Sequence, residues 1–428
     1  MKRIAIRKED KSRWERRAPL VPEDVRELKE KHGIETVVQS SPIRVFKDEE
    51  YREAGAIISD KPDAPFVFGI KEIPVHVFEE GKTYIFFSHT IKGQPYNMPM
   101  LKRMLELKTT LIDYERIVDD NGRRLIAFGK FAGIAGMIDT LWALGKRLEW
   151  EGLKTPFLHI KRAYEYHSVK ELEEESEKIG REIKEEGLPP EITPFVVGFA
   201  GYGNVSTGAQ EVLDLLPVKE ITPEELFTLK DDRYTIYKVV FKEEHMVERK
   251  DGGKFELQEY YHHPEKYKGV FEKYLPYLTV LVNAIYWDER YPRLVTKKYL
   301  KENYEPGRSK LKVIGDISCD IEGGVECTLR ATEPDEPVYV YNPQKEEITM
   351  GYKGDGVVVL AVDILPSEVP RDASIYFSHI LKGFVPDIVN ASYPPGFENC
   401  TLPPVLKRAV IVYKGELTPD YRYLEKYL

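Results

Sequence analysis

The sequence predicts an α/β protein with two lobes, and three observations support this fold class. Short apolar runs alternate with amphipathic helical segments over roughly the first 130 residues, as in parallel sheets with crossover helices. A long apolar helix is predicted at Gly133–Trp150, and a buried strand with a glycine-rich turn follows near Gly201. The length of 428 residues is enough for about two to three domains.

The predicted elements of the first lobe are short strands alternating with helices. The strands are Arg3–Ile6, Thr36–Val38, Phe66–Ile70, Tyr84–Phe87 and Thr110–Ile112, and the helices are Pro22–His32, a segment near Asp48–Ala54, and Met98–Leu107. Gly33 is expected to end the first of these helices, because glycine readily adopts the left-handed conformation of a helix C-cap.

The predicted elements after residue 150 follow the same alternation. The strands are Phe195–Phe199, Leu278–Ile285, Lys312–Ile317, Gly356–Ile364 and Ala409–Tyr413, and the helices are Glu171–Glu186, Ser206–Leu216 and Arg371–Leu381. Residues 229–275 are charged and rich in tyrosine, with a hairpin signal at Asp251-Gly252-Gly253.

Composition excludes several classes of function. The net charge of −9 argues against non-specific binding to nucleic acids or to an anionic membrane surface. The 3 cysteines are too few and too irregular for a secreted disulfide framework, and the N-terminus lacks the apolar core of a signal peptide. No cluster of histidines, cysteines and carboxylates has metal-site spacing. We therefore expect a cytoplasmic protein without a metal.

Ionisable side chains follow three consecutive predicted strands of the first lobe. Lys71 and Glu72 follow one strand, His89 and Lys92 the next, and Glu115 the third. Because ligands bind at the carboxyl ends of parallel strands, these groups are candidates for proton transfer in one crevice. The alternative is that each is a solvated loop charge or a hydrogen-bonded loop histidine.

Arg17, in the segment ERRAPLVP, is a candidate for binding a substrate carboxylate. A guanidinium group can hold a carboxylate through two parallel hydrogen bonds. The alternative is an ordinary surface arginine.

A possible dinucleotide fingerprint occurs in FVVGFAGYGNVSTGAQ. Gly201, Tyr202 and Gly203 follow a buried strand and precede a helix, so the helix N-terminus would face the cofactor phosphates. Ser206 stands where the third glycine is usual, and Gly208 lies two residues later. A simple glycine-rich turn is the alternative.

Two further positions are candidates for cofactor contacts. Lys219 and Glu220 lie about where a ribose-binding residue is expected; the acid would suit a free 2′-hydroxyl and the lysine a 2′-phosphate. Asp316 ends another buried run and would face the nicotinamide, unless it is a turn or helix-cap residue.

Several long motifs make the sequence resemble a known family. They are ERRAPLVPEDV, FGIKEIP, FFSHTIKGQ, LIDYERIVDDNGRRLIAFGKFAGIAGM, GNVSTGAQ, NAIYWDERYPRLVT, GDISCDIEGG and VDILPSEVPRDAS. They resemble lysine-ketoglutarate reductase, the lysine-forming saccharopine dehydrogenase found as the N-terminal half of bifunctional aminoadipic semialdehyde synthase. Alanine dehydrogenase and the transhydrogenase N-terminal region are more distantly similar.

The resemblance implies a fold of two Rossmann-like lobes with an interdomain cleft, in which the C-terminal segment completes the first lobe. The substrate domain would comprise residues 1–133 and 366–428. The dinucleotide-binding domain would comprise residues 134–365, with an insertion near 229–275.

The resemblance also implies a reaction. L-Lysine would condense with 2-oxoglutarate to an imine, which hydride transfer from NAD(P)H would reduce to saccharopine. NADPH is favoured because the resemblance is strongest to the bifunctional enzymes, and the chain length leads us to expect a monofunctional enzyme. A NAD-linked saccharopine dehydrogenase, a related enzyme with another substrate, and an amino-acid or nucleotide sensor are alternatives. A homo-oligomer without nucleic acid or membrane partners is expected.

Site residues follow from the resemblance motif by motif. Lys71 and His89 match the acid/base pair, and Arg17 matches the carboxylate-binding arginine. Substrate contacts are implied for Glu72, Lys92, Glu115 and Arg124. Cofactor contacts are implied for Gly201, Tyr202, Gly203, Asn204, Val205, Asn283 and Asp316, with Lys219 and Glu220 as the ribose candidates.

Overall fold

The structure of the protein is a computed structural model that describes residues 2–428. The chain folds into two compact units. Unit 1 consists of the chain up to Phe128 together with Pro370–Leu428, and unit 2 is Gly129–Val369.

Both units alternate strands with helices. The elements up to residue 128 are β1 (Lys2–Ile6), α1 (Pro22–His32), β2 (Ile34–Gln39), α2 (Asp48–Glu53), β3 (Ile57–Ser59), β4 (Phe66–Phe68), β5 (Thr83–Phe86), α3 (Met98–Glu106) and β6 (Thr110–Asp113). Those of unit 2 are α4 (Gly129–Trp150), α5 (Val169–Glu186), β7 (Phe195–Ala200), α6 (Asn204–Leu213), β8 (Val218–Ile221), β9 (Ile236–Phe241), α7 (Glu243–Met246), β10 (Val247–Arg249), α8 (Leu257–His262), β11 (Tyr267–Gly269), β12 (Val280–Asn283), α9 (Lys297–Asn303), β13 (Val313–Asp316), β14 (Val338–Asn342), β15 (Glu347–Met350) and β16 (Val357–Leu360). Unit 1 ends with α10 (Pro370–Leu381), α11 (Val385–Asn390), α12 (Pro404–Lys407), β17 (Val410–Tyr413) and β18 (Glu416–Leu417).

The sheet of unit 1 has 8 strands in the order β18-β17-β6-β5-β4-β1-β2-β3. The six strands from β6 to β3 are parallel to their neighbours. Strand β17 pairs antiparallel with β6, and β18 pairs antiparallel with β17. The C-terminal segment therefore completes the first sheet, which confirms this part of the predicted fold.

The sheet of unit 2 also has 8 strands, in the order β15-β14-β16-β13-β12-β7-β9-β8. The strands from β16 to β8 are parallel, and β14 and β15 form an antiparallel edge. The predicted α/β class is thus confirmed for both units.

Burial explains why the apolar runs become strands. Strands β5, β7 and β12 are buried at every residue, as expected for parallel strands covered by helices on both faces. Helix α1 ends where the sequence predicts: Gly33 has φ +64°, and its N–H donates to carbonyls of the last turn.

The prediction for residues 229–275 is wrong in one respect. The segment was expected to be an insertion, but it contains β9, which pairs with β7 along its whole length and is almost fully buried. The charged, tyrosine-rich flanks hide this strand, because the segment as a whole shows no apolar pattern. The short pair β10-β11 and helices α7 and α8 of this segment lie outside the main sheet.

Several general features limit the chemistry. All three cysteines are free thiols. Among residues 2–428, no group of three or more histidine, cysteine, aspartate or glutamate side chains is arranged to hold a metal ion. No helix in the same range is long and apolar enough to cross a membrane.

Candidate active site

The carboxyl ends of β4 and β5 bring Lys71, Glu72 and His89 together in unit 1, and we call these three residues the unit 1 cluster. Because β4 and β5 are parallel neighbours, the segments after them leave the sheet at the same edge. Beyond the strands, the Phe87 N–H still donates to the Ile70 carbonyl oxygen at 3.0 Å. This pairing places His89 beside the segment that carries Lys71 and Glu72.

Glu72 links the cluster through two hydrogen bonds. Its Oε1 lies 2.8 Å from Nδ1 of His89, and its Oε2 accepts a hydrogen bond from Nζ of Lys11 at 2.7 Å. Burial alone would raise the pKa of Glu72, but the bonds from His89 and Lys11 outweigh it and lower the pKa to about 2. Glu72 is therefore an anion at neutral pH, so Nδ1 of His89 must carry the proton it donates.

Lys71 lies in a half-buried position that disfavours its charge. Burial lowers the pKa of its ammonium group, and the positive charge of Arg17 lowers it further. The backbone around it is fixed by buried Glu9, which accepts hydrogen bonds from the N–H groups of Ile70 and Lys71 at 2.8 and 3.0 Å. The backbone at Lys71 is thus held in place, and its amine loses its proton more readily than that of a surface lysine.

Arg17 is buried, and its guanidinium group already holds a carboxylate. Its Nε and Nη2 donate to the two oxygens of Glu15 at 2.8 and 2.6 Å, and it packs over the Phe128 ring at 4.2 Å. We expected Arg17 to present its paired N–H groups to a substrate, but the structure gives this pair to Glu15, which stands only two residues earlier. Its charge still contributes to the field at Lys71.

The other predicted substrate residues lie in the same unit, but they are more exposed. Glu115 and Arg124 form a close ion pair, in which the Arg124 side chain is about half exposed. Lys92 is exposed. Behind them, the buried carboxyl of Asp113 accepts a hydrogen bond from the Ser88 N–H at 3.1 Å, and burial raises its pKa to about 6.

Sequence reasoning missed Glu9, Glu15 and Asp113. The first two stand on the segment after β1, where the alternation of acids and arginines in KEDKSRWERR could have indicated buried ion pairs. Asp113 is the last residue of β6, two residues before Glu115. Its position at the end of a buried strand could have identified it as a candidate.

The fingerprint of unit 2 has the geometry of a phosphate-binding turn. Gly201 has φ +98°, and a Cβ there would come within 3.0 Å of Cγ2 of Ile285 and 3.1 Å of the Ala284 oxygen. Gly203 leaves open space beside the backbone, and α6 begins directly after it without a side-chain cap. The first N–H groups of α6 therefore have no side-chain partner from the cap residue, as a bound phosphate requires.

Two other glycines replace the missing third glycine. A Cβ on Gly208 would lie 2.0 Å from the Lys130 oxygen, and one on Gly133 would lie 1.9 Å from the Val205 oxygen. Helices α4 and α6 thus pack backbone to backbone. Ser206 is fully buried, and its Oγ accepts a hydrogen bond from Gln210 at 3.0 Å, so a glycine is not needed there.

A cavity of about 440 Å³ opens beside the fingerprint. It is lined by Gly201, Gly203, Glu243, Met246, Leu294 and Arg293 and by the tyrosines at 202, 260, 261, 286 and 291. Apolar walls with a few polar groups suit a nucleotide. The exposed residues Tyr202 and Asn204 and the half-buried Val205 lie at the start of α6. We call this cavity with Gly201–Val205 the nucleotide site.

Asn283 and Asp316 are direct neighbours at the ends of β12 and β13. Nδ2 of Asn283 donates to Asp316 at 2.8 Å, and Oγ1 of Thr328 donates at 2.5 Å. Burial raises the pKa of Asp316 to about 6. Both side chains are therefore held by protein partners.

Lys219 and Glu220 do not line the nucleotide site. They are exposed on β8 at the edge of the sheet, and Glu220 pairs with Lys238 at 3.1 Å. The expectation failed because β9, and not β8, is the neighbour of β7. The residues about 20 positions after the fingerprint therefore lie on an edge strand, β8, and not on the strand next to β7.

Fold and site define the class of protein. A family model described as alanine dehydrogenase/PNT, N-terminal domain, matches residues 5–135, and one described as alanine dehydrogenase/PNT, C-terminal domain, matches residues 243–420. Regions of this chain thus match both the N-terminal and the C-terminal domain of alanine dehydrogenase/PNT. A solved L-alanine dehydrogenase shares the fold with a TM-score of 0.63, at 20% identity over 99% of both chains.

Curated relatives are more similar in sequence. The alpha-aminoadipic semialdehyde synthase of Arabidopsis thaliana is 41% identical over 99% of this chain and 41% of that protein. The mitochondrial enzyme of the same name from Mus musculus is 36% identical over 99% of this chain and 47% of that protein. The chain thus spans less than half the length of these relatives. A saccharopine dehydrogenase [NAD(+), L-lysine-forming] of Yarrowia lipolytica is 28% identical over 86% of this chain and 87% of that protein.

Proposed function

We propose that the protein condenses L-lysine with 2-oxoglutarate and reduces the imine to saccharopine with a nicotinamide cofactor, or catalyses the reverse reaction. The observation that supports this most is the half-buried amine of Lys71, whose charge is disfavoured, beside the Glu72–His89 pair. Similarity to the semialdehyde synthases along almost the whole chain supports the choice of substrates.

Lys71 acts as the base in this proposal. The ε-amino group of L-lysine must lose a proton before it can attack the keto carbon of 2-oxoglutarate. A neutral amine held at the end of β4 can take that proton, and the lowered pKa of Lys71 makes the neutral form accessible. Burial thus converts an ordinary cation into a base.

His89 acts as the acid. Attack on the keto carbon gives a carbinolamine, whose hydroxyl must leave as water with an added proton. Nδ1 of His89 is held by the Glu72 carboxylate, so the ring is oriented. The proton given to the hydroxyl leaves from Nε2. Glu72 is the positioning residue.

Charged groups around the cluster bind the substrates. Both 2-oxoglutarate and saccharopine carry several carboxylates, which the exposed cations Lys92 and Arg124 can pair with at the rim. Glu115, held close to Arg124, can pair with an amino group of lysine.

The nucleotide site fits a dinucleotide, since the open space beside Gly203 leaves room for phosphates next to the start of α6. When bound there, the reduced nicotinamide supplies the hydride that converts the imine to a secondary amine. Gly201 and Gly203 bring the backbone close to the pyrophosphate. The resemblance to the bifunctional enzymes favours NADPH, whereas the Yarrowia relative is named for NAD(+). We further propose a reducing, cytoplasmic compartment, in keeping with the three free thiols.

A substrate screen tests the proposed function. Oxidation of NADH and of NADPH is followed with L-lysine plus 2-oxoglutarate, and with other pairs of amino acids and 2-oxo acids. We expect the lysine and 2-oxoglutarate pair to give the highest kcat/KM. A higher value with another amino acid would assign a different substrate, and cofactor binding without any turnover would favour a sensor.

A further inference from the structure

The strand order of unit 2 changes which residues are expected to contact the adenosine ribose: they follow β9 and not β8. In dinucleotide-binding folds this contact comes from the carboxyl end of the strand next to the fingerprint strand. Here that neighbour is β9, which pairs with β7 from Phe195↔Ile236 to Ala200↔Phe241. The pairing continues past the strands, because the Gly201 N–H donates to the Phe241 oxygen at 3.0 Å. The residues directly after Phe241 therefore stand beside the fingerprint.

Glu243 is the acid at this position. It begins α7, is half-buried, and lines the same cavity as Gly201 and Gly203. Its carboxylate accepts hydrogen bonds from the hydroxyl groups of Tyr261 at 2.6 Å and Tyr202 at 3.1 Å. An ionised carboxylate has about four acceptor positions, so two tyrosines fix its orientation and leave capacity for two ribose hydroxyls.

The arginine that lines the cavity is engaged elsewhere, and the exposed Lys242, next to Glu243, is not among the lining residues. Within the described chain, Arg293 is the only basic residue among those that line the cavity. Its Nε and Nη2 donate to the Glu322 oxygen at 3.2 and 2.9 Å, and its guanidinium group packs over Trp287 at 5.2 Å. Lys219 lies on the edge strand β8.

We propose that Glu243 makes the nucleotide site selective for NADH over NADPH. It accepts hydrogen bonds from the adenosine 2′- and 3′-hydroxyls, and it repels the negative charge of a 2′-phosphate. The inference rests on one part of the proposed function, which is that the site binds a nicotinamide dinucleotide. It does not depend on the amino-acid substrate. It runs against the NADPH preference that the resemblance favours.

Direct titration of binding tests this proposal without any amino-acid substrate. NADH and NADPH are titrated separately, with nicotinamide fluorescence as the readout, into the wild type and the variants Glu243→Gln, Glu243→Arg and Glu220→Gln. We expect the wild type to bind NADH at least about 10-fold more tightly than NADPH, the range of one to two hydrogen bonds to a charged group. Glu243→Gln should reduce this ratio, and Glu243→Arg should invert it.

Glu220→Gln is the matched control, because Glu220 is the acid that lies on the edge strand. It should leave the ratio unchanged. The isosteric Glu243→Gln keeps an oxygen acceptor for the two tyrosines, so it remains informative if the arginine variant does not fold. A wild type that prefers NADPH, or a ratio insensitive to both Glu243 variants, would overturn the inference.

The same titration separates this inference from the proposed function. NADH preference that depends on Glu243, found in a protein that does not turn over lysine and 2-oxoglutarate, contradicts only the proposed reaction. Turnover of these substrates with NADPH preferred contradicts only the role of Glu243. Failure to bind either dinucleotide contradicts both.

Discussion

The unit 1 cluster and the nucleotide site of unit 2 both follow buried parallel strands, but they are built from different groups. In the cluster, side chains determine one another's charge: Glu72 is ionised because His89 and Lys11 hold it, and Lys71 is disfavoured as a cation by burial and by Arg17. In the nucleotide site, backbone shape dominates, through the left-handed turn at Gly201 and the open space at Gly203. The proposed chemistry and the proposed cofactor binding thus depend on separate physical properties of the chain.

The largest expected effect is on turnover and comes from the cluster. Lys71→Met and His89→Gln each remove one proton-transfer group, so we expect kcat for the reductive condensation to fall by about 10²–10⁴-fold. Cofactor affinity should stay unchanged, because neither residue belongs to unit 2. Steady-state kinetics with a parallel NADH titration measures both quantities.

Lys82→Met is the control for the loss of a lysine. Lys82 also lies in unit 1 but pairs with Glu79 at 2.9 Å, away from the cluster. A kcat near that of the wild type in both Lys71→Met and His89→Gln would contradict the proposed role of these residues in proton transfer.

The pH profile of kcat/KM tests whether the charge state of Lys71 in the unit 1 cluster controls the rate. Lys71 must be neutral to accept a proton, so the rate of condensation should rise about tenfold per pH unit below its pKa. Because burial lowers the pKa of Lys71 from the ordinary value of 10.5, this rise should level off at a lower pH than for a surface lysine. The rising limb should disappear in Lys71→Met; a limb that persists there belongs to another group.

A smaller effect, on stability, is expected where helices α4 and α6 support the fingerprint. Gly133→Ala forces a Cβ to within 1.9 Å of the Val205 oxygen, so the free energy of unfolding should fall by about 1–3 kcal/mol. Gly129→Ala, four residues earlier, meets its nearest atom at 3.5 Å and should be neutral or slightly stabilising. Chemical denaturation of the two variants makes the comparison, and equal stabilities would contradict the close packing.

The smallest predicted effect concerns a pair of buried carboxyls in unit 2, which contrast with ionised Glu72. Burial raises the pKa of Asp139 to about 7 and that of neighbouring Glu368 well above normal. The folded protein therefore binds more protons than the unfolded chain above about pH 4, so stability should fall as pH rises from about 4 to 7. Unfolding of Asp139→Asn across this range should show a weaker dependence, because Glu368 remains buried, and exposed Asp355→Asn should keep the full dependence.

Local signals in the sequence were sufficient for most of the fold. Apolar runs predicted the central strands, because parallel strands are buried on both faces. Strand β9 was missed because its neighbours in sequence are charged, and this hid the strand order on which the ribose contact depends. Sequence spacing then favoured Lys219 and Glu220, whereas the sheet places Glu243 beside the fingerprint.

The candidate residues of unit 1 were easier to find than their partners. Strand ends pointed to Lys71, Glu72 and His89, and the structure brings these three together. Periodicity carries no information on which acid holds which base, so the Glu15–Arg17 pair and the support from Glu9 became visible only in three dimensions.

One labelling measurement tests the central claim, that this chain joins lysine to 2-oxoglutarate and reduces the product. The protein is incubated with L-lysine labelled at the ε-nitrogen, 2-oxoglutarate and NADH deuterated at the transferred position, and the products are analysed by mass spectrometry. We predict a single adduct with the mass of saccharopine that retains the labelled nitrogen and carries one deuterium from the cofactor. Unchanged lysine with no deuterated adduct, or transfer of the labelled nitrogen to free glutamate, would contradict the account.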